Sequence, residues 1–268
     1  MAIVTLTTDW GIKDHYLASV KGSLLSQLPN VQIVDISHDI PPFDINQASY
    51  VLKSCFRDFP DGTIHIIGIN SDASPKFPHV ALKIHNHYFI GADNGIFSLM
   101  FDTKPDHIVA LEIIQETEKY TFSTKDVFTK AAMQLMEGTP IEKLGFERKE
   151  LTKMMSFEPV VETDPDGSIN IIGKVIYVDR YENAITNISM DLFYKQGNKK
   201  PFRISFNSFK NIITDISETY SDVSISEACA LFDSNNLLEI AVNQGNAGSL
   251  LGLYRDTKIR ISFEADEE

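Results

Sequence analysis

Ala2-Ile3-Val4-Thr5-Leu6-Thr7, followed by Asp9-Trp10-Gly11, is a short apolar, β-branched run that ends in a polar turn. Such a run reads as a buried strand. Residues 15–28 then carry apolar side chains at helical spacing and stop at Pro29-Asn30. The alternation repeats: a strand is expected at 31–36, a helix at 45–56 with Asp44 as its N-cap, and a near-continuously apolar strand at 63–69. Strands at 80–84 and 87–90 flank a tight turn; Asp93-Asn94-Gly95 leads into a helix ending at Met100. A strand at 109–113, a helix at 124–136 and a short segment at 141–144 complete this half. Strand–helix alternation with short connections predicts a mostly parallel sheet covered on both faces, with ligands beyond the carboxyl ends of its strands. Asp9, Asn70 and Asp93 all follow expected strands.

The pattern changes near Glu158. EPVVETDPDGS at 158–168 is acidic, carries prolines and a glycine, and has no helical period, which reads as a linker. Beyond it, short strands are expected at 169–178, 185–188, 202–206, 228–232, 237–242 and 258–263, with almost no helix signal. The expected organisation is an α/β N-terminal domain over 1–158, a linker at 159–168 and a smaller all-β barrel C-terminal domain over 169–268. The acidic residues 264–268 are expected to fray.

A 268-residue chain with 43% hydrophobic residues can bury two cores. Its net charge of −13 repels phosphate backbones, so no nucleic-acid partner is expected. Cys55 and Cys229 lie far apart and form no CxxC pattern, which argues against a zinc or redox pair and suits a reducing compartment. MAIVTLTTDWG lacks the basic start and long apolar run of a signal peptide, and no apolar stretch reaches the roughly 20 residues of a membrane helix. A cytoplasmic location without membrane association is therefore expected.

Three stretches carry more than class. They are Thr8-Asp9-Trp10-Gly11 with Asp14 and Lys21-Gly22; the run from Ile33 through Asp35, His38 and Pro41-Pro42-Phe43-Asp44; and, in the second half, residues 175–179, Asn183, Thr186, Asn187 and LEIAVNQGNA at 238–247. In this order and spacing they resemble the family of S-adenosylmethionine hydroxide adenosyltransferases, chlorinases and fluorinases. The resemblance implies homotrimers with S-adenosylmethionine held between the N-terminal domain of one subunit and the C-terminal domain of its neighbour. A nucleophile attacks ribose C5′ and expels methionine, with no cofactor. Such a site must hold the sugar rigidly, strip water from the nucleophile and align it opposite sulfur.

By resemblance, Asp9 grips the ribose hydroxyls and Phe43 lies against the sugar. Phe122, Tyr181 and Tyr220 surround the adenine. Asp179, Asn183 and Ser234 hold the methionine end, and Asn94 joins the substrate site. Each type also has a plainer role: a capping Asp, a turn Asn, a core aromatic. His38 beside Asp35 and Asp39 does not place three ligands on one face, and reads as a structural histidine rather than a metal ligand.

The departures concern the nucleophile. Hydroxide-transferring members use an Asp, an Arg and a His to orient and deprotonate water; here Asn70, Phe77 or Pro78, and Ser123 stand in their places. An amide is no general base. Asp72 and His79 share that loop and offer a base if the loop refolds. Thr124 stands where fluorinases place a serine, which suits an anion. Ser71, however, replaces the halide-lining aromatic, and KIHNHYF at 83–89 leaves no room for the fluorinase insertion. Asn70, Ser123 and Thr124 are thus expected to border the nucleophile. An adenosine-forming S-adenosylmethionine hydrolase or related adenosyltransferase is the first expectation. A non-catalytic binder of S-adenosylmethionine or adenosine, or a 5′-halogenase, is the alternative.

Overall fold

β1 (Ile3–Thr8) is buried from Val4 onward, as its apolar and β-branched side chains require on both faces. It is followed by α1 (Tyr16–Gln27), β2 (Gln32–Ser37), α2 (Ile45–Cys55), β3 (Ile64–Gly68), β4 (His79–Ile84), β5 (His87–Ala92), α3 (Ile96–Met100), β6 (His107–Leu111), α4 (Thr129–Met136) and β7 (Gly145–Glu147). The computed structural model describes residues 3–72, 74–113, 122–197 and 200–265, and the backbone alone at 208–211. The chain divides into two units, Met1–Met155 and Ser156–Glu268.

In the first unit the sheet order is β2-β1-β3-β5-β4-β6-β7. β2, β1, β3 and β5 run parallel, and the edge from β5 through β4 and β6 to β7 is antiparallel. Helices cover both faces. Val20 and Leu24 of α1, with Ala131 and Ala132 of α4, pack on Val4, Leu6, Ile64 and Ile66. Ala48 and Leu52 of α2, with Phe97 and Met100, pack on Ile67, Val80, Leu82 and Phe89. Asp44 caps α2 as expected, its Oδ1 accepting from the Asn46 and Gln47 amides at 3.1 and 3.0 Å.

Two local features depart from the expectations. The helix expected from Thr124 opens as a π turn, Thr124–Phe128, before α4 begins. Such turns often mark functional positions. Within the stretch read as a linker, β8 (Val160–Thr163) pairs antiparallel with β9 (Ile169–Val178) and ties that segment to the second unit.

The second unit continues with β10 (Ala184–Ser189), α5 (Met190–Gly197), β11 (Phe202–Phe206), β12 (Ser208–Ile213), β13 (Ala228–Phe232), β14 (Leu237–Val242), α6 (Ala247–Leu251) and β15 (Lys258–Phe263). Its antiparallel order, β12-β11-β15-β9-β10-β14-β13, curls until a bridge between Ile216 and Ala230 draws the ends together into a barrel-like sheet. Ile171, Val175, Ile188, Ile240, Ile261 and Phe263 fill its interior. β12 and the short helices α5 and α6 were not foreseen: one-turn to two-turn elements leave little periodicity to read. Of the tail expected to fray, residues 266–268 lie outside the described residues. Cys55 and Cys229 are free thiols, and burial pushes Cys55 up to about 11. Among the described residues no helix is long and apolar enough to cross a membrane.

A histidine ladder lies inside the first sheet. Thr5 Oγ1 meets His65 Nδ1 at 2.7 Å, and His65 Nε2 meets His87 Nδ1 at 3.1 Å. Phe89 stacks on His65 with ring centroids 4.6 Å apart. Burial, and secondarily His87, pushes His65 down to about 3; burial also lowers His87. The unfolded chain takes up a proton at each histidine below about pH 6.5, whereas folded His65 resists until about pH 3. Stability therefore falls with acidification across that window, by up to about 1.4 kcal/mol per pH unit through His65, and His87 acts in the same direction. Urea unfolding between pH 7.5 and 4.5 is expected to show this slope, and His65→Gln to reduce it by about one proton. A second prediction concerns Gly68, where a Cβ would stand 2.8 Å from Trp10 Cζ2 and 3.2 Å from Thr8 Cγ2. Gly68→Ala is expected to cost about 1–3 kcal/mol through overpacking. The emission of Trp10, the sole tryptophan, is expected to report the displacement directly.

Candidate functional site

The loops after β1, β3 and β5 meet at the carboxyl edge of the parallel strands. Asp9 stands half-buried in the first of them. Its Oδ2 accepts from the Phe43 amide at 2.8 Å. Burial raises its pKa above the ordinary 3.8, and the amides of Phe43 and Asn70 partly restrain that rise by binding the charged form. The Gly11 amide donates to His38 O at 2.8 Å, and Thr8 Oγ1 meets His38 Nδ1 at 2.8 Å. Asp9 is thus fixed between two other loops.

Two residues of these loops have left-handed backbone. Phe43 has φ +66° and Asn70 has φ +44°, conformations uncommon for residues with a Cβ. The surrounding bonds hold them. Asn94 Nδ2 donates to Ile69 O and Asn70 O at 3.1 and 3.2 Å, while its Oδ1 accepts from the Ile96 amide at 3.3 Å. The side chain expected at the substrate therefore tethers the Asn70 loop. Asp93 is fully buried, binding Arg148 Nη2 at 3.0 Å and the Thr152 amide at 2.9 Å.

The positions expected to border the nucleophile gather around Ser71. Thr124 Oγ1 donates to Ser71 Oγ at 3.3 Å, and both Ser123 and Thr124 are buried. His79 Nε2 donates to Ser71 O at 2.8 Å, and its ring stands edge-on to Phe128. Burial lowers the pKa of His79 against the opposing pull of Asp72, so the ring is neutral near pH 7. With Nε2–H spent on a carbonyl, only Nδ1 retains a basic lone pair. Phe122 packs edge-on to Trp10 and Tyr16, at 5.4 and 5.2 Å between centroids. Phe43, in contrast, is 71% exposed.

In the second unit the hairpin between β9 and β10 unites Asp179 and Asn183. Asp179 Oδ1 accepts from the amides of Tyr181 and Asn183 at 2.9 and 2.8 Å, and Oδ2 from Asn183 Nδ2 at 3.1 Å. Glu182, with φ +62°, reaches α6 and accepts from the Ser249 amide at 2.7 Å. Tyr181 is 74% exposed. Ser234 is exposed on the β13–β14 turn, at the opposite end of β14 from this hairpin. The structure does not bring it beside Asp179.

Tyr220 reveals a residue that sequence reasoning missed. Its hydroxyl donates to Glu239 Oε1 at 2.9 Å, and Glu239 is buried on β14. Burial raises the pKa of Glu239, the Tyr220 hydrogen bond opposes this, and the nearby charges of Asp179 and Asp233 add to the rise. Burial and the Glu239 carboxylate likewise raise Tyr220. One signal existed: a single acid inside the apolar run LLEIAV at 237–242. Among the described residues no cluster of three or more His, Cys, Asp or Glu forms a metal site.

Comparison with known proteins places this geometry in context. The model of the SAM hydroxide adenosyltransferase N-terminal domain matches residues 4–145, and that of the C-terminal domain matches 173–260. An (R)-S-adenosyl-L-methionine hydrolase of Thermus thermophilus is 28% identical, covering 97% of this chain and 100% of the relative. One from Methanocaldococcus jannaschii is 26% identical over 97% and 96% of the two chains. A fluorinase of Nocardia brasiliensis is 25% identical over 98% and 96%. A crystal structure of an uncharacterized conserved protein from Thermotoga maritima superposes with a TM-score of 0.85 at 28% identity, covering 97% of this chain and 99% of that one. Both halves match in order and the matched span takes in nearly all the candidate residues, so the chain belongs to the SAM hydroxide adenosyltransferase family.

Proposed function

We propose that the protein cleaves S-adenosylmethionine with water at ribose C5′, giving adenosine and methionine. Water oxygen forms the new bond to C5′, the C5′–S bond breaks with its electron pair leaving on sulfur, and a proton is released. The sulfonium is already a good leaving group, so no cofactor is required and positioning carries most of the burden. The observation that supports this reading is the half-buried Asp9 carboxylate, held by the Phe43 amide at the edge where parallel-sheet ligands bind. The Thermus and Methanocaldococcus relatives named as (R)-S-adenosyl-L-methionine hydrolases support the same chemistry.

Asp9 binds the ribose hydroxyls, with Phe43 against the sugar. Phe122, Tyr181 and Tyr220 enclose the adenine. Asp179 and Asn183 receive the methionine end, without Ser234, which stands at the other end of β14. Asn70, Ser123 and Thr124 border the water, and Asn94 serves the site by holding the Asn70 loop. Phe43, Tyr181 and Tyr220 are 71%, 74% and 43% exposed in the single chain. Such exposure of binding aromatics supports a homotrimer in which a neighbouring copy covers them, with the second unit closing as a barrel. A cytoplasmic location, without nucleic-acid or membrane partners, completes the reading.

The half-buried hydroxyl pair of Thr124 and Ser71 favours a second reading, transfer to a halide, because it offers donors and no carboxylate to repel an anion. Chromatography after incubation with S-adenosylmethionine, with and without chloride or fluoride, separates the readings. Adenosine above the spontaneous rate is expected. A halide-dependent 5′-halo-adenosine would establish the second reading, and tight binding without either product would establish a non-catalytic binder. Asp9→Asn is expected to weaken S-adenosylmethionine binding about 10- to 150-fold, since hydrogen bonds to a charged group are worth about 1.5–3 kcal/mol. Calorimetry is also expected to show wild-type affinity falling on acidification at pH values above the ordinary aspartate range, because burial raises Asp9 and only its ionised form accepts from two hydroxyls.

A further inference from the structure

We infer that His38 is a positioning residue for Asp9, acting by clamping both ends of the turn that carries it. The inference rests on the proposed role of Asp9 at the ribose. His38 is 6% exposed, and none of its contacts is to a group expected at the substrate. Its ring Nδ1 meets Thr8 Oγ1 at 2.8 Å, on the residue before Asp9. Its carbonyl accepts from the Gly11 amide at 2.8 Å, two residues after Asp9. One residue thus brackets the carboxylate in sequence and in space.

The clamp has a fixed polarity. His38 Nε2 lies 3.1 Å from Asp35 Oδ1, an ion-pair separation too bent to count as an aligned hydrogen bond. Asp35 in turn accepts from Lys21 Nζ at 2.6 Å. Against the cost of burial, Lys21 and His38 hold the Asp35 carboxyl below its ordinary value. A carboxylate facing Nε2 favours the proton on that nitrogen, which leaves Nδ1 as acceptor and makes Thr8 the donor. The row Lys21, Asp35, His38, Thr8 therefore orients a fully buried hydroxyl beside the candidate ligand. From His38 the chain runs through buried Ile40 and the stiff Pro41-Pro42 to Phe43, whose amide binds Asp9 itself. Three bonds from one short segment hold one four-residue turn.

The experiment uses the full chain and S-adenosylmethionine, with calorimetry for affinity and steady-state assays for kcat and KM. Thr8→Val and His38→Leu remove the side-chain half of the clamp and are expected to weaken binding and raise KM about tenfold, with kcat changed less than about threefold, a uniform-binding loss. Thr8→Ser keeps the hydroxyl and His38→Asn keeps an acceptor near the Nδ1 position; both are expected to stay within about threefold of wild type. In an Asp9→Asn background, Thr8→Val is expected to add little further loss, because the two act through one carboxylate. Thermal unfolding checks each variant, and Thr8→Ala gives the same reading should Thr8→Val fail to fold. Full additivity of Thr8→Val with Asp9→Asn, or wild-type binding by both Thr8→Val and His38→Leu, overturns the inference while leaving the proposed function standing. A wild-type chain that binds no S-adenosylmethionine overturns both.

Discussion

A carboxylate that leaves water must find donors, and the first unit is arranged around giving them to Asp9. Burial alone would favour its neutral acid form, which donates where the ribose hydroxyls of the proposed substrate would need an acceptor. The Phe43 and Asn70 amides counter that by preferring the charged form. Both donors come from residues in left-handed backbone, strain that only a well-braced surrounding sustains. His38 binds both ends of the Asp9 turn and Asn94 tethers the Asn70 loop.

The side proposed for the nucleophile follows a different logic. Asn70, Ser123 and Thr124 carry no charge, and the imidazole beside them, His79, is neutral and tied to Ser71. A site of this composition offers weak base strength and several hydroxyl and amide dipoles. The proposed reaction asks little base strength of it, because the leaving group departs as a neutral thioether. The π turn at Thr124–Phe128 carries Thr124 to within 3.3 Å of Ser71 Oγ, at the point where the two loops must meet.

In the second unit, the acids Asp179 and Glu239 each depend on a hydrogen-bond donor for their place. Asp179 accepts three bonds from its own hairpin, which hold that loop in shape and leave one of its acceptor positions open. Glu239 instead holds the hydroxyl of Tyr220, giving an exposed ring a buried anchor.

Much of this was legible in the chain. Apolar runs of five or six residues separated by helical periods dictate a parallel sheet with two covered faces, because nothing else buries such strands, and Asp44 announces its helix by type and place. Asp9, Asn70 and Asp93 were placed at the strand ends by the same pattern. What needed the tertiary structure was the pairing of side chains far apart in sequence. The antiparallel edge β5-β4-β6-β7, the strand β8 in an expected linker, the Asn94 tether, the separation of Ser234 from Asp179 and the Tyr220–Glu239 bond were all of this kind. Hydrophobic periodicity specifies which face of an element is buried; it carries no information about which polar atom from elsewhere in the chain will meet that face, and only the folded backbone decides that.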